Sequence, residues 1–111
     1  MIKITEFPHS FALAGETWEL HPAMMRRITA EGIEQKVSLD GEVFALVVAE
    51  GGDEFAVAVV YEPDNRVFVI SRQFGMRGPF TGLVDMVYDA ASRRVVVTAA
   101  KDGKPGSYVI E

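Results

Sequence analysis

The chain has no cysteine, which removes disulfides, thiolate chemistry and cysteine zinc sites from consideration. Histidine is scarce. His9 and His21 each stand beside a proline, and neither HExxH nor any third ligand at metal-binding spacing accompanies them. Both read as solvated or capping residues, so no metal and no cofactor is expected. Long apolar runs are missing too. The longest, Val43 to Ala49 and Phe55 to Tyr61, are seven residues each, against the roughly 20 that a membrane helix needs. The opening MIKITEFPHS lacks the charged, apolar, small order of a secretory signal, and a cytoplasmic location is the expectation.

Catalytic motifs are equally sparse. Ser10, Ser38, Ser71, Ser92 and Ser107 lack the Gly-x-Ser-x-Gly elbow. The glycines of GMRGPFTG (Gly75, Gly78, Gly82) lack the Lys-Ser/Thr of a phosphate loop and run into an apolar strand, whereas a phosphate cradle needs a helix N-terminus. Glu19 and His21 share a side of an extended segment but have no nucleophile beside them. The expectation is a protein that is not an enzyme.

Basic residues are outnumbered, 11 Lys and Arg against 16 Asp and Glu, for a net charge of −5. Duplex binding draws most of its affinity from phosphate neutralisation, so nucleic acid is not the expected partner. The pairs Arg26-Arg27 and Arg93-Arg94 both have acidic residues nearby. An acidic surface keeps a chain soluble and also suits a basic partner.

What is present is strand signature. From Ile33 onward, short runs rich in valine, phenylalanine, isoleucine and tyrosine alternate with Gly, Asp, Asn and Pro turns. One domain spanning residues 1–111 is expected. Its fold class is mainly β (a β-rich α+β protein), an antiparallel meander of about 6–8 strands closed as a sandwich or barrel. The N-terminal segment supplies short strands at Met1 to Phe7, Phe11 to Leu13 and Thr17 to Leu20, with Trp18 as a core anchor. A single helix is expected near residues 22–31, because Pro22 suits a first helical position, Met24, Met25 and Ile28 make one apolar face, and Gly32 suits the stop. Residues 74–82 read as a long loop. The segments YEPDNRVFVIS and VYDAASRRVVVT look like two similar hairpins.

Val43 to Ala49 and Phe55 to Tyr61 do not alternate apolar with polar, so the central strands need cover on both faces. The N-terminal layer can supply one cover; barrel closure, a second sheet or another chain must supply the other. Asp85 interrupts Leu83 to Tyr88 and marks that strand as nearer an edge.

Two groups of residues stand out as partner-binding candidates. If strands simply alternate direction, Asp40, Glu42, Glu62, Asp64 and Asp89 gather at one end of the sheet. At the other end, Phe74, Met76, Arg77 and Phe80 are residue types enriched in interface hot spots. The function expected from these is a protein-binding module of the kind found among bacterial immunity proteins, antitoxin-like proteins that neutralise a basic, nuclease-like toxin by occlusion, with carboxylates steering the encounter. A barrel holding an apolar small molecule and a homodimeric structural subunit are the alternatives.

Overall fold

The computed structural model describes residues 1–39, 41–49, 54–61 and 64–111. Eleven strands run in order: β1 (Ile2–Lys3), β2 (His9–Leu13), β3 (Glu16–His21), β4 (Met24–Thr29), β5 (Gly32–Ser38), β6 (Glu42–Val48), β7 (Phe55–Tyr61), β8 (Arg66–Ser71), β9 (Gly75–Asp89), β10 (Arg94–Lys101) and β11 (Lys104–Val109). They form a seven-stranded antiparallel sheet, β1-β6-β7-β8-β9-β10-β11, curled into a half-barrel, and a four-stranded sheet, β2-β3-β4-β5. The expected meander is there. Among the described residues no helix occurs, and none is long and apolar enough to cross a membrane.

The helix expected over 22–31 is instead the β3–β4 hairpin and strand β4. Pro22 and Ala23 form a two-residue turn between the paired His21 and Met24, with Ala23 at φ +59°. Proline suits the first corner position of such a turn as well as it suits the first turn of a helix. A ten-residue helix is marginal by itself, while strand partners here wait on both sides. Arg26 faces Glu19 and Lys36, and Arg27 faces Trp18 and Gln35. Pairing overrides propensity.

Alternation in β7 divides the core. Phe55, Val57 and Val59 point to the small sheet and join Trp18, Leu20, Met25, Leu13 and Leu46 in one cluster. Ala56, Ala58 and Val60 point to the concave side and join Val67, Val69, Phe80, Met86, Val95 and Val97 in the other. Both faces of the central strands are therefore dry, one covered by the second sheet and the other by the curl of the first. Trp18 packs at 5.2 Å from Phe55, ring to ring, and Phe11 stacks on Trp18 and meets Phe55 edge-on at 5.7 Å.

The curl comes from β9, where the expected 74–82 loop is in fact strand from Gly75 onward. Val67 pairs with Phe80 and Val69 with Arg77, leaving Gly78 and Pro79 opposite the single residue Phe68. That is a bulge, the one interior place a sheet accepts proline. Gly78 sits at φ +137°, and a Cβ there would lie 2.9 Å from the Val67 carbonyl oxygen. Only glycine fits. The first part of β9 pairs with β8, as far as Thr81, and the rest pairs with β10. The bend between these parts swings the end of β9 back over the sheet.

Candidate anion-binding site

The bend redistributes the residues singled out in the sequence. Glu42 is exposed at the start of β6. Asp64 precedes β8 and forms an ion pair with Arg66 at 2.7 Å. Asp40 and Glu62 lie outside the described residues. Asp89 does not join them, because the returning strand carries it to the opposite end. There its Oδ1 accepts the Ala91 N–H and its Oδ2 accepts the Ser92 hydroxyl, both within its own turn. The simple alternation of strand direction fails because one strand folds over. Of the second group, Phe80 is buried against Tyr108. Met76 is exposed, and Arg77 donates to the Glu111 backbone carbonyl at 2.8 Å. Phe74 is half-buried beneath the guanidinium of Arg94, 4.9 Å from the ring centroid.

That last contact marks a site that residue spacing did not reveal. Where β9 returns, Tyr88, Arg93 and Arg94 meet Glu54, Arg72 and Gln73 around a cleft of about 550 Å³. Each wall has a local cause. Glu54 precedes β7 and is buried. Its Oε1 accepts three backbone N–H groups, from Phe55 at 3.0 Å, Arg72 at 2.9 Å and Gln73 at 3.3 Å. The Ser71 hydroxyl accepts the Phe74 N–H at 2.9 Å and fixes the same turn from its other side. Amides thus meet the Glu54 charge on that oxygen. Arg72, Arg93 and Arg94 form no ion pair with any described acidic residue, in contrast to Arg26, Arg27 and Arg66.

Among the described residues the cleft carries three arginines against one glutamate, on a negative protein. Guanidinium groups match the oxygens of carboxylates and phosphates in planar, two-point hydrogen bonds. Stacking on Phe74 holds Arg94 in place before any ligand arrives. Among the described residues no group of three or more His, Asp or Glu is placed to hold a metal ion.

Arg93 and Arg94 were visible as a pair, read only as neighbours of acidic turns. The stronger signal lay in the two similar hairpins. Asn65 and Arg93 both directly precede their strands at nearly equal positive φ, +54° and +56°. Asparagine is at home in that conformation and arginine is not. Nothing in local sequence, however, joins Glu54 and Arg72 to Tyr88. The chain matches no protein-family model, no curated protein and no solved structure.

Proposed function

We propose that this protein is a non-catalytic binding module that captures an oxyanion, a carboxylate or phosphate carried by a larger ligand, in the arginine cleft. The observation that carries this reading is the set of three arginines, without acidic partners among the described residues, around a buried Glu54 whose Oε1 is held by three backbone amides. Because the Glu54 carboxylate is held by the Phe55, Arg72 and Gln73 amides and forms no ion pair with the arginines of the cleft, their guanidinium groups stay available to a ligand. The cleft volume exceeds what a bare phosphate fills, so the anion belongs to something bigger.

This reading reverses the charge of the partner expected from composition. Of the carboxylates meant to face a basic toxin, the described Glu42 and Asp64 stand at one end of the sheet and Asp89 at the other, and Asp64 is tied to Arg66. Recognition of a ligand by direct occlusion is kept; the chemistry recognised is anionic.

The test is an NMR titration of arginine side-chain Nε signals with inorganic pyrophosphate against sodium chloride of equal ionic strength. Saturable shifts at Arg72, Arg93 and Arg94, weakened as salt rises and reduced at least about tenfold in affinity in the Arg72→Gln/Arg94→Gln variant, support the proposal. Shifts that track ionic strength alone, or that appear equally at Arg66 and Arg77, overturn it.

A further inference from the structure

Beside the cleft lies a second concavity of about 470 Å³, lined by Met1, Val47, Val48, Val87, Tyr88 and Ala90. It is apolar where the first is charged. Tyr88 belongs to both, and Ala90 shares a turn with Arg93. The groove occupies the opening of the half-barrel, where β6 and the returning half of β9 approach without pairing.

The backbone at that junction is available. The Val95 carbonyl accepts the Ile110 N–H at 2.8 Å, so the backbone groups of Val95 face β11. Tyr88 stands opposite Val95, and in an antiparallel pair of this kind both residues turn their N–H and C=O outward. The amide of Tyr88 therefore faces the opening. Two residues earlier, the Met86 N–H also turns from β10, and the Asp85 carboxylate accepts it at 2.9 Å.

A free strand edge invites an added strand, but the distances decide against it. Parts of β6 and β9 come within 8 Å of each other, Cα to Cα. A strand inserted between them needs about 9.6 Å, twice the usual interstrand spacing. At those points the opening is too narrow for a peptide strand, and the space beside it is the apolar groove of about 470 Å³.

We infer that the cleft and groove together bind an amphipathic organic acid, with its oxyanion among Arg72, Arg93 and Arg94 and its unbranched apolar body along Val47, Val48 and Val87. Tyr88 sits at the junction of head and tail, offering its N–H to the anionic end. This inference rests on the anion-binding proposal and adds the class of ligand. It also moves the small-molecule site expected inside a barrel to the rim, since the concave interior is filled by the side chains of the core.

The probes are butyrate, hexanoate, octanoate and decanoate, each kept below its micelle concentration, with decanol and pyrophosphate as comparisons. Each methylene that enters the groove raises affinity by up to about fourfold, so octanoate should bind at least about tenfold more tightly than butyrate. Methyl signals of Val47 and Val87 should move together with the arginine Nε signals. In Val87→Asp, at an exposed position, the gain with chain length should disappear. Equal binding of decanol and decanoate, or affinity independent of chain length, overturns the inference. Arginine shifts with pyrophosphate but no valine response to decanoate remove the groove and leave the anion site standing. Silence toward both probes removes both.

Discussion

At the scale of single residues, the protein uses two glutamates in opposite ways. Glu19 joins β3 to β4 through one carboxylate oxygen, which accepts Arg26 Nε at 3.1 Å and an Arg26 terminal nitrogen at 2.7 Å and lies 2.5 Å from His21 Nε2. These are charge-assisted contacts on a strand whose alternation puts Glu19 and His21 on one side. The Arg26 hydrogen bonds, then that of His21, hold the Glu19 carboxyl below its ordinary value of 4.5. A folded-state value below the unfolded one stabilises the fold above the unfolded value, and the contribution is lost as pH falls through the folded one. Glu19→Gln should therefore be less stable than the parent near neutral pH, and the difference should shrink in acid. Urea midpoints at about pH 7 and about pH 3 check this, and a constant difference across that range contradicts it. Glu54, by contrast, spends one oxygen on three amides of its own surroundings and organises the cleft without pairing to an arginine of another strand.

At the scale of elements, the two hairpins that resemble each other in sequence show what the cleft costs. The residue entering β8 is Asn65 and the residue entering β10 is Arg93, both in the left-handed region. An L-residue with a long side chain is strained there by about 1–2 kcal/mol, and asparagine relieves part of that through local hydrogen bonding. Arg93→Asn should raise stability by about 0.5–1 kcal/mol while weakening pyrophosphate binding severalfold. Thermal unfolding and the titration read the two effects separately. A less stable variant would mean that Arg93 is held for the fold rather than for a ligand. The β3–β4 hairpin carries a related lesson. Met24, Met25 and Ile28 have helical spacing, and they sit in a strand because β3 and β5 flank them and Pro22-Ala23 closes a turn.

For the whole molecule, β7 is the shared wall of two cores, and Leu20 lies fully buried in the one between the sheets. Leu20→Ala should lower stability by about 2–5 kcal/mol and still unfold in a single transition, because neither sheet retains its covered face without the other. A separate early transition of the small sheet, seen by hydrogen exchange, would show that it is an independent unit. Much of this architecture was legible in the residues. The strand runs and most turns could be placed, Trp18 could be put in the core, and the demand that Val43 to Ala49 and Phe55 to Tyr61 be covered on both faces follows from their failure to alternate. These are short-range matters, fixed by backbone preference and by the cost of exposing apolar surface. The cleft was not legible in the same way. Glu54 and Arg94 are brought together by the bend of β9 where it leaves β8 for β10, at Thr81, a consequence of strand geometry and sheet twist that local pattern does not encode. The sequence alone determined that this chain would be a meander of strands with a dry middle. Only the tertiary structure decided which end Asp89, Arg93 and Arg94 would face, because the direction of a long strand after a bulge depends on what it packs against.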